Sequence, residues 1–122
     1  MKKSILAVDD SEAILDVVKM ALEMADCEVS TSLTGACFQH MEHPLPDLIL
    51  LDVLLSGEDG GEICQRLKSD EQTRHIPVIL LSAHAGLRET AERCGANDFL
   101  AKPFRLTELR EIAKRDPPPS KG

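Results

Sequence analysis

Several apolar stretches of this sequence end on a residue that carries a charge or a hydroxyl group. These end residues are, in chain order, Asp9 with Asp10, then Asp52, Ser82 and Lys102. The carboxyl ends of parallel strands lie at one edge of a sheet, where ligands bind, so these side chains are predicted to meet. Carboxylates packed together repel one another unless a cation joins them. With no His or Cys among them, they suit a hard divalent ion such as Mg²⁺, which keeps waters that a phosphate can replace.

The same set of residues indicates a reaction. A lysine and a hydroxyl group beside bound Mg²⁺ can hold the oxygens of a phosphoryl group. The pattern therefore favours phosphoryl transfer to a carboxylate, which gives an acyl phosphate. Asp52 is the central candidate for the acceptor carboxylate. It directly follows four consecutive apolar residues, Leu48 to Leu51. Such a run is typical of a strand covered on both faces, and it would hold Asp52 rigidly at its tip.

Hydrophobic periodicity predicts strands alternating with helices along the whole chain. We expect strands at about 5–8, 28–32, 47–51, 77–81 and 98–101, and helices at about 12–25, 34–41, 62–69, 87–94 and 105–115. This alternation predicts an α/β fold with a five-stranded parallel sheet, right-handed crossovers and five helices in layers on both faces.

The predicted helices carry apolar stripes that should face the sheet. The stripes are Ile14, Val17, Val18, Ala21, Leu22 and Ala25 in the first helix, and Leu106, Leu109, Ile112 and Ala113 in the last. Cys37, Cys64 and Cys94 also fall on apolar helix faces. The four cysteines form no C-x-x-C pair and match no zinc spacing, so we interpret them as small buried hydrophobic residues.

Composition limits the classes of function. The 122 residues suit one domain, and the net charge of −7 argues against binding of this chain to nucleic acid or to an anionic membrane. No apolar run approaches the ~18 residues of a membrane span. The apolar stretch before Asp9 is too short for a signal peptide, so we expect a cytoplasmic protein. Residues 117–122 are proline-rich and are expected to form a tail or the start of a linker.

Four motifs together resemble one family. They are Val8-Asp9-Asp10-Ser11, Leu50-Leu51-Asp52 with Gly60 eight residues later, Ile76 to Ala83, and Gly95 to Phe104. Over about residues 4–114 the sequence is similar to the receiver domain of two-component response regulators, including the chemotaxis regulators. The resemblance implies a flavodoxin-like, doubly wound three-layer sandwich with strand order 2-1-3-4-5. We therefore expect a receiver domain over residues 1–116.

The resemblance also implies roles for individual residues. It makes Asp52 the phosphoacceptor, and it makes Mg²⁺ the cofactor, for which Mn²⁺ can substitute. The implied metal ligands are Asp9, Asp10, Asp52 and the backbone carbonyl of Leu54. The remaining implied roles are the phosphate-binding hydroxyl for Ser82, the phosphate-binding ammonium for Lys102, before a cis peptide bond to Pro103, and the aromatic switch for Phe99.

The partners implied by the resemblance are a sensor histidine kinase or phosphotransfer protein as donor and an effector protein or domain as target. The effector would bind the face formed by the fourth helix, the fifth strand and the last helix. The only reactions expected are Mg²⁺-dependent self-phosphorylation and autodephosphorylation. The oligomeric state stays open, and a homodimer is compatible with the sequence.

The sequence argues against two alternative functions. A dehalogenase-type phosphatase would need a second acid two residues after Asp52, where Leu54 stands. A degenerate receiver that only docks partners is disfavoured, because the five site residues are all retained. The sequence departs from the family pattern at Ser56, where proline is usual, and at Phe99, where tyrosine is commoner. We expect Ser56 to make its loop more mobile.

Overall fold

A computed structural model gives the structure of residues 2–114. Its strands are β1 Lys3–Val8, β2 Cys27–Ser32, β3 Leu48–Asp52, β4 Leu54–Leu55, β5 Glu58–Asp59, β6 Val78–Ser82 and β7 Asp98–Ala101. Its helices are α1 Glu12–Glu23, α2 Gly60–Ser69, α3 Leu87–Cys94 and α4 Leu106–Lys114. The predicted domain boundary at 116 and the proline-rich segment 117–122 lie outside the described residues.

The main sheet has five parallel strands in the order β2-β1-β3-β6-β7. The short strands β4 and β5 form a separate antiparallel hairpin that the sequence did not predict. Without this hairpin, the order equals the predicted 2-1-3-4-5, which is confirmed. Helices α1 and α4 cover one face of the sheet, and α2 and α3 cover the other. All residues of β3 and β6 are buried, as the uninterrupted apolar runs predicted.

The prediction of a second helix at 34–41 is wrong. The segment forms only a 3-10 turn over Gly35–Phe38, so the described residues contain four α-helices rather than five. Packing explains the difference, because a Cβ atom on Gly35 would lie 2.7 Å from Ile63 of α2. The turn therefore presses its backbone directly against α2. As a result Cys37 is only half-buried, whereas full burial was predicted.

Two residues of the predicted helix stripes face solvent instead. Val17 is 42% exposed, while Leu15, which was not predicted to face inward, is buried. Val17 and Val18 differ by about 100° around the helix, so only one of them can face the sheet squarely. Leu106 is 43% exposed because it is the first residue of α4, and helical side chains lean toward the preceding turn.

Candidate functional site

Three carboxylates converge at the carboxyl edge of the sheet. Asp9 and Asp10 follow β1, and Asp52 ends the neighbouring strand β3. Carboxylate oxygens of the three residues lie within 4.8 Å of one another. Asp9 is 1% exposed and Asp52 is 6% exposed, whereas Asp10 faces solvent. The structure therefore brings together the three acidic residues that the sequence placed at this edge.

Lys102 supplies the positive charge of this cluster. It follows β7, and its Nζ lies 2.7 Å from Asp9 Oδ2 and 3.5 Å from Asp52 Oδ1. The peptide bond from Lys102 to Pro103 is cis, as the family resemblance implied. Three carboxylates and one ammonium leave two negative charges when all are ionised. A divalent cation would balance that charge.

Each carboxylate also accepts a further hydrogen bond from a neighbouring N–H or hydroxyl group. The backbone N–H of Ser11 donates to Asp9 Oδ1 at 3.0 Å, and the backbone N–H of Leu54 donates to the Asp52 carboxylate. The hydroxyl group of Ser56 donates to Asp10 Oδ2 at 3.0 Å. Sequence reasoning missed this last contact, because it treated Ser56 only as a missing proline.

The environment of Asp52 raises the pKa of its carboxyl group. Burial is the largest cause, and the neighbouring negative charge of Asp9 adds to it. The Lys102 ammonium and the Leu54 N–H act in the opposite direction but do not cancel the effect. Because this anion is partly desolvated, it should be stabilised by a ligand that brings a positive charge or an electrophilic centre close to it.

Gly60 fixes the backbone on the far side of Asp52. A Cβ atom on Gly60 would lie 2.0 Å from the carbonyl oxygen of Asp52, so any residue other than glycine would clash with the backbone there. The N–H of Gly60 donates to the carbonyl of Val53 at 2.7 Å. Helix α2 therefore begins in direct contact with the strand tip that carries Asp52. This close approach gives the physical reason for the Gly60 that the sequence motif contained.

Ser82 ends β6 and is 2% exposed. Its Oγ accepts a hydrogen bond from the backbone N–H of His84 at 2.9 Å, and its carbonyl accepts one from the N–H of Lys102 at 2.8 Å. These bonds tie the loop after β6 to the residue that carries the site ammonium. Only the backbone of His84 takes part, since its side chain is exposed.

Phe99 lies on β7, opposite Leu80 of β6, and its ring is half-buried. The guanidinium carbon of Arg88, on α3, sits 5.8 Å from the ring centroid, a distance that suits a cation–π contact. The aromatic ring therefore lies between the strand and the first turn of α3.

Comparison with known proteins identifies the family of this fold and site. The family model described as the response regulator receiver domain matches residues 5–114. The chain belongs to the response regulator receiver domain family. Receiver domains of this family are signalling modules of two-component systems. None of the helices in residues 2–114 of this receiver domain has the length and apolar character that a bilayer span requires.

Two relatives of this receiver domain are much longer proteins. It is 42% identical over 108 residues to the DNA-binding dual master transcriptional regulator RpaA of Synechocystis sp., covering 86% of this chain and 45% of RpaA. It is 43% identical over 107 residues to the response regulator PleD of Caulobacter vibrioides, covering 85% of this chain and 24% of PleD. The chain thus spans less than half the length of these two relatives.

Solved structures of other proteins have the same fold as this receiver domain. The chemotaxis response regulator CheY4 of Vibrio cholerae superposes with a TM-score of 0.85 at 26% identity, covering 94% of this chain and 98% of CheY4. The BeF3-activated receiver domain of DrrB from Thermotoga maritima gives a TM-score of 0.82 at 32% identity, covering 94% and 97%. The predicted flavodoxin-like architecture is confirmed.

Proposed function

We propose that this receiver domain accepts a phosphoryl group on Asp52 from a phosphohistidine of a sensor kinase or phosphotransfer protein. The observation that carries the proposal is the convergence of Asp9, Asp10, Asp52 and Lys102 at one edge of the sheet. The phosphorylated state would change a surface that binds an effector. Hydrolysis of the acyl phosphate would return the domain to its resting state.

The donor set fits Mg²⁺. All candidate ligand atoms are oxygens, the three carboxylates lie within 4.8 Å of one another, and one of them faces solvent. We propose Asp9, Asp10 and Asp52 as its ligands, together with the backbone carbonyl of Leu54, and we expect Mn²⁺ to substitute. When bound, the ion would screen the electrostatic repulsion between the negatively charged phosphoryl group and the carboxylates.

The transfer step follows from the position of Asp52. An oxygen of the ionised carboxylate attacks phosphorus, the P–N bond to the donor histidine breaks, and its electron pair stays on the imidazole nitrogen, which takes up a proton. The ammonium of Lys102 lies 3.5 Å from Asp52 Oδ1, and it would form an ion pair with the phosphoryl oxygens once the group is attached. Burial of Asp52 makes its anion a less stabilised and more reactive acceptor.

The proposed output uses the face of α3, β7 and α4. Ser82 lies at the end of β6, just before the loop that leads to α3, and Phe99 lies on the adjacent strand β7. A phosphoryl oxygen would offer the Ser82 hydroxyl a charged acceptor in place of its present role in the loop. We propose that inward movement of Ser82 makes room for Phe99 and changes the face that an effector protein or domain binds.

A small-molecule phosphodonor tests the proposal most directly. We expect acetyl phosphate with Mg²⁺ to add one phosphoryl group to the protein, measured by intact mass, and we expect no addition in EDTA. Asp52→Asn should abolish the addition, while Asp16→Asn, at an exposed carboxylate on α1, should leave it unchanged. Equal labelling of Asp52→Asn and the parent would overturn the assignment. Failure of the folded parent to label at all would instead favour a receiver that only docks partners.

The metal site has its own test. Asp10→Asn should strongly weaken Mg²⁺ binding in a calorimetric titration of the unphosphorylated protein. The same change removes one of three like charges, so we expect it to raise stability in EDTA. Unchanged Mg²⁺ affinity in this variant would refute the proposed ligand set.

A further inference from the structure

Helices α2 and α3 bring two cysteines together, away from the acidic cluster. Cys64 lies in the middle of α2, and Cys94 is the last residue of α3. The thiol of Cys64 donates a hydrogen bond to the Cys94 carbonyl oxygen at 3.7 Å, and the thiol of Cys94 donates one to the Ala91 carbonyl oxygen at 3.7 Å. Both residues belong to the apolar core on the same face of the sheet.

The two thiols of the pair differ in acidity. The Cys64 thiol is placed to hydrogen-bond a thiolate on Cys94, which lowers the pKa of Cys94; the same interaction, together with burial, raises the pKa of Cys64. The ammonium of Lys68, one turn after Cys64, also favours a thiolate in this pair. Within this pair Cys94 is therefore the more acidic thiol and the one that we expect to react first.

Cys27 and Cys37 provide an internal contrast. Burial raises the pKa of both thiols. Cys27 Sγ contacts the carbonyl of Ala25 and Cys37 Sγ contacts that of Thr34, so within residues 2–114 neither thiol is hydrogen-bonded to a second cysteine. Cys37 is the most exposed of the four cysteines, since it alone is not buried. Exposure alone would therefore make Cys37 the first thiol to react with an oxidant. Pairing and acidity instead favour Cys94 with Cys64.

We propose that Cys64 and Cys94 form a peroxide-sensitive dithiol that closes to a disulfide bond between α2 and α3. The proposal does not depend on phosphorylation of Asp52. It assigns a modification site to two residues that the acidic cluster does not use.

The chemistry balances with hydrogen peroxide as the oxidant. The thiolate of Cys94 attacks one peroxide oxygen, the O–O bond breaks, and hydroxide leaves, so that Cys94 becomes a sulfenic acid. The sulfur of Cys64 then attacks the sulfenic sulfur, the S–O bond breaks, and the departing hydroxide takes the thiol proton as water. The hydroxide released in the first step takes up the proton that Cys94 lost on ionising. Overall, each sulfur is oxidised by one electron and one peroxide is reduced to two waters.

A glutamate-specific protease makes the test decisive, because cleavage after glutamate places each cysteine in a separate peptide. Cys64 falls in residues 63–71 and Cys94 in residues 93–108. The folded protein would be treated with peroxide, its free thiols blocked with N-ethylmaleimide, and the digest analysed by mass spectrometry. We expect the linked pair 63–71 with 93–108 to be the main oxidised product and to disappear after reduction with dithiothreitol.

Single substitutions distinguish the roles of the two cysteines. In Cys64→Ser we expect no disulfide and a sulfenic acid on Cys94 that dimedone traps, while Cys37→Ser should form the disulfide as the parent does. Circular dichroism would confirm that each variant is folded. The map of the parent decides the case even if a variant fails to fold. Preferential oxidation of Cys37, or a pair that stays fully alkylatable under conditions that oxidise Cys37, would overturn the proposal.

Discussion

The hydroxyl group of Ser56 donates a hydrogen bond to Asp10 Oδ2 across 3.0 Å. This bond joins the turn of the β4–β5 hairpin to the second residue after β1. Lys102 contacts Asp9 and Asp52, whereas Asp10 is the exposed member of the cluster. Ser56 therefore holds the carboxylate that has the most freedom to turn away from its two like-charged neighbours.

Ser56→Ala tests this positioning role. Without the hydroxyl, repulsion should turn Asp10 toward water, and Mg²⁺ binding must then reorder it. One hydrogen bond to a charged but exposed group is worth about 1 kcal/mol, so we expect Mg²⁺ affinity to fall about 3- to 10-fold by calorimetric titration. Ser69→Ala, which removes a hydroxyl bonded to Gln65 on α2, is the matched control. Unchanged or tighter binding in Ser56→Ala would contradict the role.

Gly60→Ala should be severely destabilising. The added Cβ atom would meet the Asp52 carbonyl oxygen at 2.0 Å, so β3 and α2 must separate. We expect the free energy of unfolding to fall by about 3 kcal/mol or more in urea titrations. At Gly61 the nearest atom to an added Cβ is a side-chain oxygen of Asp59 at 3.1 Å, which can move. Gly61→Ala should therefore cost much less, and equal losses at the two positions would disprove the argument.

Asp52→Asn should stabilise the protein at neutral pH in EDTA. The pKa of Asp52 is raised on folding, so the folded state binds this proton more tightly and loses stability as the pH rises through that pKa. Asparagine has no such loss, and we expect a gain on the order of 1 kcal/mol at pH 7. The gain should shrink as the pH falls, and it should vanish below about pH 3, where Asp52 is protonated in both states.

Thermal or urea unfolding at several pH values would measure this effect. Asp16→Asn, at an exposed carboxylate, serves as the control and should show no comparable pH dependence. A gain that grows toward low pH would have the wrong sign and would show that the Asp52 anion is stabilised, not destabilised, by folding.

The sequence predicted the sheet and the acidic cluster because both follow from the apolar segments that form the strands. A fully apolar strand such as Leu48–Asp52 must lie between two layers, and parallel topology then places its last residue beside Asp9. The segment around Gly35 was misassigned because its conformation depends on packing against Ile63, a contact distant in sequence. The Ser56–Asp10 bond also spans distant segments, and no local pattern encodes it.

Lys102→Ala should affect folding as well as signalling. Sequence reasoning assigned Lys102 mainly to the phosphoryl group, but its ammonium also lies 2.7 Å from the buried Asp9. Removing it leaves Asp9 and Asp52 without their shared cation, and breaking a buried pair in this way costs about 3 kcal/mol. We expect a loss of this size in urea at pH 7, and Lys19→Ala, at an exposed position, should cost far less.

A second substitution checks the cause of that loss. In Lys102→Ala combined with Asp9→Asn, no uncompensated charge remains at Asp9, so much of the lost stability should return. Strictly additive losses from the two changes would show that the ion pair does not account for the effect. In the single variant, a full beryllofluoride-induced NMR response would contradict the signalling role.

The last prediction concerns Phe99. Its half-buried ring sits against the Arg88 guanidinium, and it has no hydroxyl group to hydrogen-bond when it moves inward. A charge-assisted bond from Ser82 to the phosphoryl group is worth about 1.5–3 kcal/mol, which shifts a two-state population roughly 10- to 100-fold. Because the inward ring gains burial alone, we expect incomplete switching, with both ring positions populated before phosphorylation.

Fluorine NMR on fluorophenylalanine-labelled protein would measure these populations, with the Phe99 signal assigned by its loss in Phe99→Leu. We expect an exchange-broadened or split signal in the unphosphorylated protein that moves toward the inward position with beryllofluoride and Mg²⁺. Arg88→Gln removes the cation–π contact, so it should increase the inward population before activation, whereas Arg93→Gln, at the other end of α3, should not. A single resonance that stays unshifted by beryllofluoride would refute the coupling between Asp52 and this ring.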